Sequence, residues 1–110
     1  MTTSRRPGAA SRRTVSAQMT PEQRDRLRGL LDDPDTWVLR SAWDAYVLEG
    51  EPVGVIDPAV LTRDHLVASL AWLEQQRHPL HRVLVGGRHA PEGWLESRPL
   101  YQRLQELLAS

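Results

Sequence analysis

Short signals for the start of a helix recur along this chain, and they limit how long any one helix can be. Each signal is a hydroxyl or carboxylate side chain that can cap a helix, with proline one or two positions later. The four signals are Thr20-Pro21, Asp33-Pro34, Asp57-Pro58 and Ser97-Arg98-Pro99. Proline suits the first turn of an α-helix because its missing N–H group would have no partner there. The pattern therefore predicts several short helices.

Apolar side chains recur at helical spacing between these signals. The segments with this spacing are residues 20–32, 33–50, 62–77 and 97–108, and one further helical turn follows Asp57. The third segment ends before Pro79, because the residue that precedes a proline avoids helical backbone angles. We therefore expect a mainly α fold, a compact bundle of four to five short helices.

Two short apolar runs fit a strand better than a helix. Residues 53–56 follow a proline and contain a glycine, both of which oppose a helix, and they end in the β-branched pair Val55-Ile56. Residues 82–85 stand before Gly86-Gly87, a pair typical of a turn. We therefore expect the two runs to pair as a small two-stranded β element beside the helices.

The chain divides into two parts of opposite net charge. Residues 1–18 hold four arginines, no acidic residue and, after Met1, Val15 as their single large apolar side chain. Residues 19–110 hold ten arginines against fourteen acidic residues, a net charge of −4, with thirty-two large apolar side chains. We expect a disordered basic tail over the first part and a single helical domain over the second. Translation from Met1 and translation from Met19 both fit this division.

The composition excludes several kinds of chemistry. All fourteen basic residues are arginine, and the chain has no cysteine. It therefore cannot use a phosphate-loop lysine, a Schiff base, a thiol nucleophile, a cysteine zinc site or a disulfide. No apolar stretch reaches the roughly 20 residues that span a bilayer, and no apolar signal sequence opens the chain. We expect no membrane association and a cytoplasmic location.

One spacing of metal-ligating side chains occurs at the end of the predicted helix 62–77 and just beyond it. Glu74, His78 and His81 stand four and three positions apart, so a continuous helix would bring them to one face. Pro79 lies between the two histidines and opposes that continuity. We therefore expect no metal and no other cofactor, and a metal-dependent enzyme is the most remote function considered.

Other signatures of catalysis or nucleotide binding are incomplete. Gly86-Gly87-Arg88-His89 could present N–H groups to a phosphate, but dinucleotide loops need a third spaced glycine that opens a helix. Asp32, Asp33 and Asp35 are crowded, but without the glycine and distal glutamate of a calcium loop they are typical of helix capping. No serine, histidine and aspartate set carries the sequence of a nucleophile elbow. We therefore expect a protein that is not an enzyme.

The predicted helix 62–77 carries apolar side chains on more than one side. One ridge consists of Leu66, Leu70 and Leu73. Trp72 points away from this ridge, on a wall that it shares with His65 and Gln76. Tryptophan is enriched at protein interfaces, although the core is the alternative place for it in a small domain. We assign His65, Trp72 and Gln76 to an interface with a protein partner or with a second copy of the chain.

These observations lead to one expected function and one main alternative. We expect a small cytosolic, non-catalytic interaction or regulatory module that acts through its helix surfaces. The alternative is a DNA-binding accessory regulator, with a helix-turn-helix-like region and wing over residues 57–89 and polyanion contacts from the tail. Those contacts would come from Arg5, Arg6, Arg12 and Arg13. Because the remaining residues carry a net charge of −4, we expect nucleic acid to bind only through the tail.

Overall fold

Residues 19–110 of the chain are described by the structure, which is a computed structural model. The helices are α1 (Pro21–Leu31), α2 (Trp43–Val47), α3 (Arg63–Gln75), α4 (Arg77–Leu84) and α5 (Pro99–Ala109). The strands are β1 (Trp37–Val38) and β2 (Val55–Ile56), and three 3-10 turns cover Arg40–Ala42, Pro58–Val60 and Leu95–Ser97. The prediction of a mainly α fold of four to five short helices with a small β element is confirmed.

The basic N-terminal segment, residues 1–18, lies outside the described residues. The arginines assigned to polyanion contacts, Arg5, Arg6, Arg12 and Arg13, lie outside the described residues. The disordered tail expected over residues 1–18 lies outside them as well. Both expectations therefore stay predictions.

Hydrogen bonds confirm two of the predicted helix starts. The hydroxyl of Thr20 accepts from the backbone N–H of Gln23 at 3.2 Å, and the Gln23 side chain accepts from the Thr20 N–H at 2.9 Å. This reciprocal pair satisfies N–H groups of the first turn that have no partner within the helix. Thr62 caps α3 by accepting from the His65 N–H at 3.2 Å. No helix within residues 19–110, including the 13-residue α3, combines the length and apolar character needed to traverse a bilayer.

The predicted helix over residues 33–50 is confirmed only over α2 and is wrong before it, because Asp33 stabilises a turn instead of starting a helix. Its carboxylate accepts from the Asp35 N–H at 2.9 Å and from the Thr36 hydroxyl at 2.8 Å. These short-range bonds engage the oxygens that would otherwise cap a helix. The chain then enters β1, and α-helical structure resumes only at α2, after the 3-10 turn Arg40–Ala42.

The predicted pairing of residues 53–56 with residues 82–85 is also wrong. The antiparallel partner of β2 is β1, with Trp37 opposite Ile56 and Val38 opposite Val55. Gly54 permits this arrangement because its backbone has a φ of +68°, and a Cβ at this position would lie 2.3 Å from the Cβ of Ala42. Only glycine combines that conformation with so close an approach of the neighbouring turn.

Residues 77–84, which include most of the second predicted strand, form α4 instead. Pro79 is the third residue of this helix, so its missing N–H falls in the first turn, where no intrahelical bond is lost. Leu80 and Val83 are buried at helical spacing, together with His81. The prediction that helical structure stops before Pro79 is therefore wrong, although α3 itself does end at Gln75.

Three tryptophans from separate elements meet in the core. The rings of Trp37 in β1 and Trp43 in α2 have centroids 6.2 Å apart, and Trp43 and Trp72 of α3 make an edge-to-face contact at 4.6 Å. Buried leucines of α1, α3 and α5 belong to the same cluster. The turn and strand after α1 therefore bring α2 against one side of α3.

The other side of α3 packs beside α5, and the two helices run antiparallel. Arg63, at the start of α3, donates to the carbonyl of Leu108, near the end of α5, at 3.1 Å. Glu74, near the end of α3, accepts from the hydroxyl of Tyr101, near the start of α5. Contacts at both ends therefore fix the two helices side by side.

Candidate functional site

The predicted interface residues occupy different environments. Trp72 and Gln76 are each 5% exposed, whereas His65 lies on the surface. The side of α3 that carries Trp72 was predicted to be accessible, but α2 covers it, and the Trp43 ring of α2 makes an edge-to-face contact with the Trp72 ring. Of the three residues, only His65 presents surface in the described part of the chain, and its role in binding stays a prediction.

The predicted metal-ligating spacing is broken by the end of α3. Glu74 lies in α3, whereas His78 and His81 lie in α4. The Nδ1 atom of His78 accepts from the Ala90 N–H at 2.9 Å, so this nitrogen is engaged within the fold. His81 is buried with its ring edge-on to Trp94. Within residues 19–110, no three such side chains are grouped so that they could share a metal ion.

The glycine pair after α4 forms the predicted turn. Gly86 and Gly87 have φ angles of +114° and +85°, which only glycine adopts readily. His89, just beyond them, packs edge-on against His78 with the ring centroids 5.2 Å apart. The loop is therefore held against α4 by a ring contact as well as by the hydrogen bond to Ala90.

In the helix-turn-helix-like region predicted for residues 57–89, the first element is a 3-10 turn, Pro58–Val60, which leads into α3 and then α4. A helix-turn-helix motif has two helices joined by a short turn, and the first of the predicted pair is only this 3-10 turn. Residues 83–89, expected to form a wing, lie partly in α4 and partly in the loop after it. DNA binding itself stays a prediction, and the basic residues assigned to it lie outside residues 19–110.

An open groove of about 660 Å³ lies between α3 and α5. Val67, Leu70 and Ala71 of α3 line its middle together with Gln105 of α5, and Leu108 and Ala109 lie towards the end at Arg63. Arg63 lines one end and Glu74 and Tyr101 line the other. Ligand sites in proteins commonly have volumes of this order, an apolar lining and a few polar groups that fix orientation.

The groove face of α3 follows from the spacing of four residues. Arg63, Val67, Leu70 and Glu74 stand four, three and four positions apart, which places them along one stripe of an α-helix. Leu70 is 8% exposed, whereas Val67 is 48% exposed. Sequence reasoning missed Val67 because it concentrated on the leucine ridge and on Trp72. The available signal was an apolar residue between a basic and an acidic one on a single stripe.

An ion pair next to the acidic end of the groove links α4 to the segment before α5. Both terminal nitrogens of Arg77 donate to the carboxylate of Glu96, at 2.7 and 2.5 Å. This two-point contact lowers the pKa of Glu96 to about 2 and raises the pKa of Arg77. Glu96 belongs to the 3-10 turn Leu95–Ser97, so the pair holds that turn against the start of α4.

The hydroxyl of Tyr101 orients the carboxylate at the acidic end of the groove. Tyr101 is buried, and its hydroxyl donates to Glu74. Burial, and then this hydrogen bond, raise the pKa of Tyr101 to about 12. The hydroxyl is therefore protonated at neutral pH and acts as a permanent donor. The groove thus presents an oriented carboxylate at one end and the Arg63 guanidinium at the other.

Comparison of the chain with known protein families, curated proteins and solved structures finds no match.

Proposed function

We propose that this protein is a small, non-catalytic interaction module, and that the groove between α3 and α5 binds an apolar surface of another protein chain. The observation that carries the proposal is the open groove of about 660 Å³, whose α3 wall is apolar between the charged ends. Grooves between helices receive apolar side chains that a partner helix presents at intervals of one turn. The groove is bounded by charged residues, which would set the orientation of such a partner.

The exposure of Val67 supports this proposal. Among the described residues, the exposed large apolar side chains other than Val67 lie in strands, turns or loops. Val67 lies in the middle of α3 and is 48% exposed, at a position where amphipathic helices of globular proteins usually bury an apolar residue. Covering this side chain with a partner would remove apolar surface from water.

The groups next to the groove whose pKa values are shifted link elements of the fold. Arg77 and Glu96 neutralise each other, and the hydroxyl of Tyr101 is engaged by Glu74. Catalytic acids and bases need pKa values near the working pH, but the pKa values of Glu96 and Tyr101 are moved away from neutrality. These groups act as links between elements, and the groove next to them acts as a binding surface.

The test compares two arginine substitutions of exposed valines in the full chain. Val67→Arg places a charge in the groove, and Val85→Arg places one in the loop after α4, where Val85 is 66% exposed. Tagged wild type and both variants would be incubated with lysate of the native host, and retained proteins, including untagged copies of the chain, quantified by mass spectrometry. Circular dichroism would verify that both variants fold.

We expect at least one protein to be retained by wild type and by Val85→Arg but lost with Val67→Arg. A charge in an apolar interface must be desolvated without a partner, which opposes binding strongly. If the two variants retain the same proteins in the same amounts, the groove is not the binding surface and the proposal is wrong.

A further inference from the structure

The charges at the two ends of the groove are arranged so that a two-fold rotation exchanges them. Arg63 and Glu74 are both exposed and lie on one stripe of α3, eleven residues apart. At the helical rise per residue, that separation is about 16 Å, or three turns. The midpoint falls between Ala68 and Ser69, and Val67 lies near it. A second α3 that runs in the opposite direction would therefore meet opposite charge at both ends.

From this arrangement we infer that the occupant of the groove is a second copy of this chain. The inference rests on the proposed function and names the partner. The two α3 helices pack antiparallel through their groove faces, across a two-fold axis midway along the helix between Arg63 and Glu74. Arg63 of one protomer then faces Glu74 of the partner subunit, and the same contact forms a second time by symmetry. Closed two-fold dimers are the commonest form of soluble oligomer, and their interfaces must be complementary to themselves.

The centre of α3 suits such a contact. Ala71 lines the groove and is exposed, and its small side chain allows a second helix to approach closely. Val67 also lines the groove, with nearly half of its surface exposed. In the antiparallel arrangement, the Val67 side chain of each copy lies against the apolar α3 wall of the other groove. The interface therefore has an apolar middle and charged ends, as protein interfaces generally do.

The charged ends are held in position within each protomer. Arg63 donates to the carbonyl of Leu108, and Glu74 accepts from the hydroxyl of Tyr101. Side chains that are ordered before binding lose less conformational entropy on binding. Arg63 has further donors, and Glu74 has further lone pairs, for the contacts between copies.

The N-terminal segment of the chain is a poorer occupant of this groove than a second copy. Residues 1–18 contain only two large apolar side chains, Met1 and Val15, so they offer little to the apolar α3 wall of the groove. Their four arginines match Glu74 but repel Arg63 at the other end. A second copy satisfies both ends together.

The test measures self-association of the purified full chain by sedimentation velocity over a concentration series. Charge reversal at either end, Arg63→Glu or Glu74→Arg, makes the groove ends alike and puts like charges opposite each other twice per dimer. We expect each variant to raise the dimer Kd by at least about tenfold. An equimolar mixture of the two variants restores both attractive contacts, so it should associate as well as wild type.

The mixture separates the inference from a merely structural effect. Both variants disturb a contact within the protomer, and mixing them cannot repair that contact. Val67→Arg should also abolish association, while Val85→Arg should leave it unchanged. Glu74→Gln keeps an acceptor for Tyr101 but removes the charge, so it should weaken the dimer by a few fold. This milder variant keeps the test informative if charge reversal impairs folding.

Three results would overturn the inference. The first is that the wild-type chain remains monomeric up to a concentration of about 1 mM, at which a dimer with a free energy of association of only about 4 kcal/mol would form. The second is that the mixture of the two charge-reversal variants associates no better than either variant alone. The third is that Val67→Arg leaves the dimer unaffected. In the first case, capture of a host protein that depends on Val67 would leave the proposed function intact, so the two proposals fail separately.

Discussion

The two sides of α3 meet different surroundings. On one side, Trp72 packs edge-on against Trp43 of α2 and is almost fully buried. On the other side, Val67 lies in the groove beside α5 with nearly half of its surface exposed. The larger and partly polar side chain is therefore inside, and the smaller and wholly apolar one is outside. Exposure along this helix is determined by the element packed against each side, and the type of side chain does not indicate it.

This difference also separates stability from binding. The Trp72 side contributes to the core, so changes there should affect the free energy of unfolding. The Val67 side contributes little to the core, so changes there should affect association. Four predictions test this division, and they are ordered by the size of the expected effect.

The largest effect is expected for Trp72→Ala. Removing a buried indole loses its transfer free energy and leaves a cavity, so we expect a loss of about 3–5 kcal/mol in the free energy of unfolding. Urea denaturation followed by circular dichroism measures this value. The control is Val67→Ala, which should cost less than about 1 kcal/mol because the side chain is half exposed. Equal losses for the two variants would contradict the assignment of Trp72 to the core.

Gly54→Ala tests the packing of the segments that cover the Trp72 side of α3. A Cβ at this position would lie 2.3 Å from the Cβ of Ala42, next to Trp43, and the backbone has a φ of +68°. Both effects oppose the pairing of β1 with β2, the strands that precede and follow α2 in the chain. We expect a loss of about 2–3 kcal/mol in the free energy of unfolding.

The matched control for that variant is Gly29→Ala. Gly29 lies within α1, and a Cβ there would meet no atom within 4 Å. We expect this substitution to stabilise the protein by about 0.5–1 kcal/mol, because alanine favours helix more than glycine does. If thermal unfolding shows the same change in stability for both substitutions, the close approach at Gly54 does not stabilise the Trp72 side of α3.

Tyr101→Phe tests the hydrogen bond that links α5 to Glu74 on the groove side of α3. The variant removes the hydroxyl that donates to Glu74, and we expect a loss of about 1–2 kcal/mol at neutral pH. Since the fold raises the pKa of Tyr101 from 10 to about 12, its contribution is present below pH 10 and is lost as the pH rises towards 12. Denaturation of wild type at several alkaline pH values should show this decline.

The alkaline decline should be smaller in Tyr101→Phe than in wild type. The control is Tyr46→Phe, because Tyr46 is a partly buried tyrosine outside the groove. This control should keep the decline of the wild type. An alkaline profile of Tyr101→Phe that coincides with that of wild type would show that the hydroxyl of Tyr101 is not the group responsible.

The smallest effect is expected for Glu96→Gln. The carboxylate is 43% exposed, so solvent screening limits the ion pair with Arg77 to about 1 kcal/mol or less. Because the fold lowers the pKa of Glu96 from 4.5 to about 2, the contribution is present above pH 4.5 and is lost as the pH falls towards 2. Wild type and variant should therefore differ at neutral pH and converge in acid.

Glu92→Gln is the control for the acid experiment. Glu92 is an exposed carboxylate in the loop before the 3-10 turn of Glu96. Its substitution should leave the free energy of unfolding close to that of wild type at both pH values. A difference between wild type and Glu96→Gln that stays constant from neutral pH to pH 2 would rule out titration of this ion pair as the cause.

Much of the helical structure was predictable because its signals act over three or four residues. Thr20 and Gln23 satisfy each other's N–H groups, and Thr62 caps α3 in a similar way. Asp33 shows the limit of such signals, since its carboxylate is equally able to cap a helix or to close a turn. In the folded chain, that carboxylate accepts a hydrogen bond from the Thr36 hydroxyl. A capping residue followed by proline therefore indicates a change of direction, and other contacts decide whether a helix follows.

The groove was not predictable, although most of its residues stood in helices that were. Its existence depends on α5 lying antiparallel to α3, with Arg63 beside Leu108 and Glu74 beside Tyr101. Residues in those pairs are 45 and 27 positions apart in the chain. Spacing within one helix shows which side chains share a face, but it does not show what covers that face.

The sequence by itself determined the fold class, the capped starts of α1 and α3, the turn at Gly86-Gly87 and the chemistry that the composition excludes. Only the tertiary structure decided that β2 pairs with β1, that Trp72 is buried and that Val67 is exposed. The first group depends on backbone preferences and on hydrogen bonds between close neighbours in the chain. The second depends on which distant segments pack together, and this is determined by burying apolar surface over the whole domain at once.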